Sequence, residues 1–383
     1  MRIEKLDIEG FRSLRKTSWR PGNLNVVIGP NGSGKSNLLR FLDLLAVSAQ
    51  GRLGKYIQSL GGMDPIVWDG RADSIKCTLR TTPVGGSLGP EEYELELAKL
   101  GGGSSYKIAS ERLINSFIYL ERHARSAVVF DAEERRFATP EEYVSDEETL
   151  LSLASGPFTQ NPRIPPFQRA LASIAVYHDL HTDKDAPIRR PVVSRMEERI
   201  EPDGQNLVAV LHTLYSNDRE FKKDMHLAMN GAFGDDFEEL IFPPASDQRV
   251  QLRIRWRSLQ REQSTAEMSD GTLRFLFLMA VLANPSPPPV IAIDEPETGL
   301  HPSMLPIVAE YAVDAATRSQ VILTTHSTQL LDAFTETKPT TTVSAWENGE
   351  TVLRTLDGEE LDYWLKSYSL GSLFKSGELE KMS

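Results

Sequence analysis

The chain opens on a roughly alternating run in which Ile3, Leu6 and Ile8 stand among polar neighbours, followed after a turn by Asn23-Leu-Asn-Val-Val-Ile28. Both stretches read as β-strands. Leu38, Leu39, Phe41, Leu42, Leu45 and Ala46 then recur at helical spacing, which predicts a buried helix from Ser36 to about Val47. Residues 51–130 alternate Gly/Pro turns with short β-like segments such as Ile75-Leu79, Tyr93-Leu97 and Phe117-Leu120. They predict an antiparallel flank on a core sheet.

The character changes at about 131, where the chain becomes acidic and helical. Thr139-Pro-Glu-Glu142 is a capping box with proline at the first helical position, so a helix is expected to begin there. Asn206 to Tyr215 and Arg219 to Phe233 read as two more helices. No heptad repeat is sustained, so this stretch is expected to be a compact helical lid and not a long coiled coil. From 249 the chain returns to strand–helix–strand alternation, which favours an α/β sheet. The pattern divides the chain into an N-terminal lobe over 1–130, a helical insertion over 131–245 and a C-terminal lobe over 246–383.

Composition narrows the class. A length of 383 residues suits two to three domains, or one with a large insertion, and 40% apolar with 25% charged residues is ordinary for a globular protein. The 54 acidic and 42 basic side chains leave a net charge of −12, which argues against a surface that coats nucleic acid throughout. A single cysteine, Cys77, excludes a disulfide framework and a cysteine-based zinc cluster, and fits a reducing compartment. The charged start, Met1-Arg-Ile-Glu-Lys, does not read as a signal peptide. The longest apolar run, Phe275 to Ala283, is about half of what spans a bilayer. A cytoplasmic protein without a membrane segment is expected.

Four motifs carry chemistry. Gly29-Pro-Asn-Gly-Ser-Gly34-Lys35-Ser36 is a full G-x-x-x-x-G-K-S between a strand and an apolar helix, the context of a phosphate-cradling loop. Its backbone N–H groups and the positive helix end suit a phosphate, with Lys35 reaching the β- and γ-phosphates and the Ser36 hydroxyl on magnesium. Pro289-Val-Ile-Ala-Ile-Asp294-Glu295 reads as a buried parallel strand ending in two carboxylates, at the sheet edge where ligands sit. Asp294 fits a magnesium partner and Glu295 a base for an attacking water. Val321-Ile-Leu-Thr-Thr-His326 is another buried strand, with a histidine at its tip. Met268-Ser-Asp-Gly-Thr-Leu-Arg274 opens an apolar helix; Ser269 is either an ordinary N-cap or, with Gly271, part of a second γ-phosphate site. That second site is redundant within one subunit and makes sense if it closes over the nucleotide of a partner subunit.

In this order the set resembles the ATP-binding-cassette ATPases, and within them heads of the RecF and structural-maintenance-of-chromosomes (SMC) type. Gly10-Phe-Arg-Ser13, Asp203-Gly-Gln-Asn-Leu207, the Met268–Arg274 signature, Asp294-Glu-Pro-Glu-Thr-Gly-Leu-His301-Pro and Thr325-His326-Ser carry the resemblance. They look like a group of about this length described as predicted AAA-family ATPases. The resemblance implies an α/β P-loop NTPase fold, an ABC-type ATPase head with a mixed core sheet, an antiparallel β flank and an inserted helical lid. It implies a homodimer that sandwiches two ATP molecules with Mg2+. Carried onto matching positions, Arg12 lies near the nucleotide, and Asn31, Gly32, Ser33, Gly34, Lys35, Ser36 and Asn37 form the phosphate and magnesium site. Ser269, Asp270 and Gly271 act in trans, Glu295 is the catalytic base, and His326 senses the γ-phosphate.

This chain departs from the wider pattern in three ways. Asp270 stands where glycine is usual, putting a negative charge near a phosphate. His301 replaces a frequent aspartate. The glutamine of the magnesium-sensing loop is not evident, with Gln58 a candidate on order alone. As a strand, Arg249–Arg257 would put Arg253, Arg255 and Arg257 on one face, either as a phosphate-tracking stripe or paired with nearby acids; Arg189-Arg190 is a weaker candidate of the same kind.

Two functions follow: an ATPase head acting on DNA, or an ATP-gated module controlling a separate effector protein, for which Leu361, Trp364, Leu365 and Tyr368 offer a stripe that is otherwise core. A transporter motor fits the spacing poorly. The 57 residues after His326 are too few for a fused nuclease, and no Asn-Lys-x-Asp motif supports a GTPase.

Overall fold

The computed structural model describes residues 1–381 except 102–104, 124–125, 140–143, 157–160 and 357. The helix expected from the Thr139 capping box lies outside the described residues.

Five parallel strands and one antiparallel edge strand make the core sheet. In order across it run Ala175–Tyr177, Val290–Asp294, Gln320–Thr325, Leu24–Ile28, Thr340–Glu347 and the antiparallel Glu350–Thr355. Strand alternation sorts their side chains into two layers. Val26, Ile28, Ile291, Ile293, Val321 and Leu323 face one core. Val27, Val290, Ala292 and Ile322 face the other.

The second layer holds the helix Lys35–Ala49, whose Leu38, Leu39 and Leu42 are fully buried. It also holds the inner face of an eight-stranded antiparallel sheet that begins with Leu14–Trp19 and Ile3–Phe11. The expected β flank is thus real. Ser74–Thr81, Glu91–Lys99 and Ile118–His123 supply its predicted strands, and Leu6, Leu79 and Tyr93 point inward.

The first layer is helical. Leu207–Asn217, Arg219–Phe233, Asp270–Leu282 and Leu305–Arg318 bury their apolar faces together against the core sheet. Two of these come from the stretch read as a lid. That stretch also supplies the core edge strand Ala175–Tyr177 and the strand Phe237–Ile241 of a small three-stranded sheet. A three-residue strand is too short to leave a periodicity of its own, and its place in the sheet comes from pairing with Val290–Asp294.

At the C-terminus Leu361 is buried, with Trp364 and Leu365 packed against the same core, while Tyr368 stays half-exposed. Most of that stripe therefore belongs to the core. Among the described residues no helix is long and apolar enough to cross a membrane.

Candidate active site at the strand tips

Parallel register brings the motif tips to one edge. Ile28 pairs with Thr325 and Asp294 with Thr324, so the strands lead together into Gly29, Glu295 and His326. Tyr177 pairs with Ile293, which puts His178 beside Asp294.

The loop after Ile28 needs its glycines. At Gly34, with φ +99°, a Cβ would lie 1.9 Å from Thr351 Oγ1; at Gly29 it would lie 2.2 Å from the Ser344 carbonyl oxygen. Gly32, with φ +81°, and Asn31 are instead exposed, and a Cβ on Gly32 would meet nothing within 4 Å. The hydroxyls of Ser344 and Thr351 hold the Ser33 carbonyl, while the Ser33 Oγ is buried without a partner. The Lys35 ammonium is buried at 4% exposure and donates to the carbonyls of Gly29 (2.8 Å) and Pro30 (3.1 Å). Burial holds its pKa below the usual lysine value, against the opposing pull of Glu295, Asp294 and Glu297. Asn37 donates to the Ser13 hydroxyl at 2.7 Å. Arg12, at the end of Ile3–Phe11 and in the left-handed region at φ 47°, keeps a buried Nε without a partner. Burial, and then Arg40, lower its pKa.

Asp294 accepts from the Thr324 hydroxyl, and Ser36 lies beside it. Burial pushes its carboxyl up, but the neighbouring His178 ring and the Thr324 and Ser36 hydroxyls outweigh that and hold it below the usual range. Glu295 has φ 46°, and its N–H donates to the Thr324 carbonyl at 3.2 Å. His326 Nδ1 lies 3.0 Å from Glu295 Oε1.

Two side chains that the sequence reading gave no role complete this edge. Glu297 Oε1 accepts from the Thr325 hydroxyl and from the His326 N–H, and its other oxygen is buried without a partner. His178 meets Asp43 of the P-loop helix at 2.7 Å and Asp294 at 3.6 Å. Desolvation lowers its pKa, but the nearby Asp294 carboxylate and the bonded Asp43 carboxylate win and raise it to about 9. A signal existed for His178: Ile174-Ala-Val-Tyr-His178 is an apolar run with a polar tip, as are the strands ending at Asp294 and His326. Gln58 is exposed on the helix Leu53–Ser59, and the neighbour of the Asp294 carboxylate is His178.

The signature stands differently. Ser269 caps Asp270–Leu282, accepting from the Thr272 N–H at 3.1 Å. Asp270 is ion-paired at 2.6 Å with Arg189, whose guanidinium also donates to the carbonyls of Thr182, Thr265 and Met268. Arg189 is thus buried in the loop that shapes the signature, which corrects its reading as a nucleic-acid contact. The Asp270 charge, expected near a phosphate, has its own counter-ion. A Cβ on Gly271 would come 2.7 Å from the Gly299 carbonyl oxygen, so glycine lets the two loops touch. His301 caps its own short turn through Ser303.

The arginine strand alternates as expected, with Leu252 and Ile254 fully buried. Arg253 pairs with Glu262 at 3.4 Å, and Arg255 with Glu239 and, at 3.0 Å, with Glu262. Arg253 and Arg255 are thus matched by acids, which draw down the field a phosphate backbone would meet, whereas Arg257 is exposed and has no ion pair among the described residues.

Loop, carboxylate-tipped strand and histidine tip on this largely parallel sheet define a P-loop ATPase head. The SMC head bound to the C-winged helix domain of ScpA has this fold: TM-score 0.61 at 16% identity, covering 95% of this chain and 100% of that one. The Smc head with an extended coiled coil bound to the C-terminal domain of ScpA, from Pyrococcus furiosus, gives 0.57 at 14% over 95% and 98%. The SMC head from Thermotoga maritima gives 0.50 at 14% over 93% and 100%. Residues 24–332 match the family described as "AAA domain, putative AbiEii toxin, Type IV TA system", and the chain belongs to that family. No curated protein matches it.

Proposed function

We propose that this chain is a magnesium-dependent ATPase whose head closes on a second copy around ATP and acts on DNA. The observation that carries the reading is the shared edge of Lys35, Asp294, Glu295 and His326, with Glu295 and His326 in hydrogen-bond contact.

The donor set suits magnesium with nucleotide. Ser36 and Asp294 are neighbours, the Asp294 carboxyl is held below the usual carboxylate range, and the Ser33 hydroxyl is buried without a partner beside the open Gly32. Among the described residues no group of three His, Cys, Asp or Glu side chains forms a metal cage. That agrees with an ion held by one carboxylate, one hydroxyl and the phosphates themselves. Ser36 and Asp294 would hold the ion, which when bound would neutralise charge on the phosphate oxygens.

The chain's residues do the rest. Lys35 and the loop N–H groups bind the β- and γ-phosphates. Glu295 orients a water for in-line attack on the γ-phosphorus and takes its proton, as the bond to the leaving ADP oxygen breaks and inorganic phosphate forms. His326, held by Glu295 and through its backbone by Glu297, faces the charge that develops. Ser269 and Gly271 have no phosphate role within their own subunit in this reading, and serve the nucleotide of the partner.

The test is the mass in solution of Glu295→Gln with magnesium and ATP, against the nucleotide-free protein and Lys35→Ala. Doubling only in Glu295→Gln with ATP supports the sandwich. A mass that never depends on ATP overturns it, and leaves Ser269 a plain helix cap.

A second reading is that the cycle controls a separate protein. Two of the similar heads are described as bound to parts of ScpA. Pull-down of the trapped Glu295→Gln form, with and without nuclease, separates this from DNA binding.

A further inference from the structure

The end of the core sheet opposite the P-loop carries a groove of about 700 Å³ lined by Arg2, Arg169, Arg199 and Arg318, with Pro287 and Pro289 on its wall. No Asp or Glu lines it among the described residues, in a chain of net charge −12. Three of these guanidinium groups are tied to neutral acceptors: Arg2 to Asn23 Oδ1 and the Thr317 carbonyl, Arg199 to the Ser286 carbonyl, and Arg318 to the Asn284 carbonyl. Among the described residues only Arg318 also has a carboxylate partner, Asp314 at 2.9 Å. Arg169 is exposed at the end of the helix Ile164–Ala172. Bonds to neutral acceptors orient a guanidinium without cancelling its charge, so the groove stays cationic. The Arg253–Arg255 stripe is the opposite case, since its charges meet acids.

The four arginines come from four separate parts of the chain, and three of these lead to the candidate active site. Arg2 precedes the strand that ends at Arg12. Arg318 and Pro289 precede the strands that lead into His326 and Glu295. The Arg169 helix precedes the strand ending at His178. A five-residue strand is about 17 Å long, so groove and nucleotide site can be filled independently.

We propose that this groove binds the phosphodiester backbone of a nucleic acid, without base readout, and is the contact through which DNA reaches the head. It rests on the DNA reading above, but not on hydrolysis. An open groove with four arginines from separate segments suits a chain of phosphates better than one small anion, and phosphate contacts alone carry no sequence preference.

Fluorescence anisotropy with labelled single- and double-stranded DNA of two unrelated sequences tests it, without nucleotide and across a salt series. The wild type is expected to bind both sequences equally. Arg169→Glu with Arg199→Glu should weaken binding at least about tenfold and lower the salt slope by about two, while Arg253→Ala with Arg255→Ala should leave both unchanged. Both arginines of the first pair are exposed and lack a carboxylate partner among the described residues, and a thermal melt checks that the variant is folded. Absence of DNA binding, equal binding by the groove variant, or loss only in the Arg253 variant overturns the assignment. So does displacement of DNA by polyglutamate at equal charge concentration, which would make the groove an acidic-peptide site. Hydrolysis is measured separately, so an inactive protein that still binds DNA through the groove refutes the ATPase reading and not this one.

Discussion

His326 Nδ1 and Glu295 Oε1 lie 3.0 Å apart although 31 residues separate them in the chain. Each stands just beyond the end of its strand, and the parallel pairing of Asp294 with Thr324 brings the two ends level. The carboxylate that would take a proton from water is thus already oriented by the histidine that would face the γ-phosphate.

Glu295→Gln should keep ATP binding and lose at least about a hundredfold in turnover, because the amide cannot accept the proton. Lys35→Ala should lose ATP binding itself. Equilibrium binding of a fluorescent ATP analogue together with phosphate release checks both. Similar turnover in Glu295→Gln and wild type would remove Glu295 from the chemistry.

Glu297 acts through its neighbours. Its carboxylate accepts from the Thr325 hydroxyl and the His326 N–H, so Glu297→Ala should free the histidine loop. Turnover is expected to fall about ten- to a hundredfold with ATP affinity nearly unchanged, and Glu297→Gln, which retains an acceptor oxygen, should recover part of the loss. Equal loss in both variants would contradict a positioning role.

Arg189 and Asp270 form one ion pair, but the two ends are unequal. Arg189 is buried and also satisfies three backbone carbonyls, while the Asp270 side chain is 63% exposed. Arg189→Ala strands those carbonyls and should cost about 2–3 kcal/mol. Asp270→Ala should cost less than about 1 kcal/mol. Urea unfolding measures both, and equal costs would contradict this account.

His178 predicts a pH dependence in the nucleotide-free protein. Its folded-state pKa is about 9, above the ordinary 6.5, because Asp294 and Asp43 favour the charged ring. A raised pKa means stability that is fully present below about pH 6.5 and is lost as pH rises through about 9. The wild-type melting temperature should therefore drop across pH 7–10 more steeply than that of His178→Gln. Parallel profiles would show that the ring does not carry the shift.

The phosphate loop, the carboxylate pair and the histidine tip were legible in the sequence because local rules suffice for them. A β-branched strand, a glycine turn and an apolar helix dictate one another over about 25 residues, as do an apolar run and its polar end. Helix bounds came out close for the same reason: Arg219–Phe233 is bounded by the Asp218 cap and Gly234.

What only the tertiary structure decided depends on pairs far apart in the chain. The strand ending at His178 is too short to show a period, and its partner Val290–Asp294 lies more than a hundred residues away. Asp270 reads as a charge aimed at a phosphate until Arg189, 81 residues before it, is folded against it. The sequence leaves the Arg253 stripe open between a phosphate face and acid pairing until Glu239 and Glu262 fold against Arg253 and Arg255, while four arginines scattered from Arg2 to Arg318 form a groove without a sequence motif. Local sequence determines which elements form and where their chemistry sits. Which charges are neutralised is decided by close approach, because an ion pair depends on distance in space and not on separation along the chain.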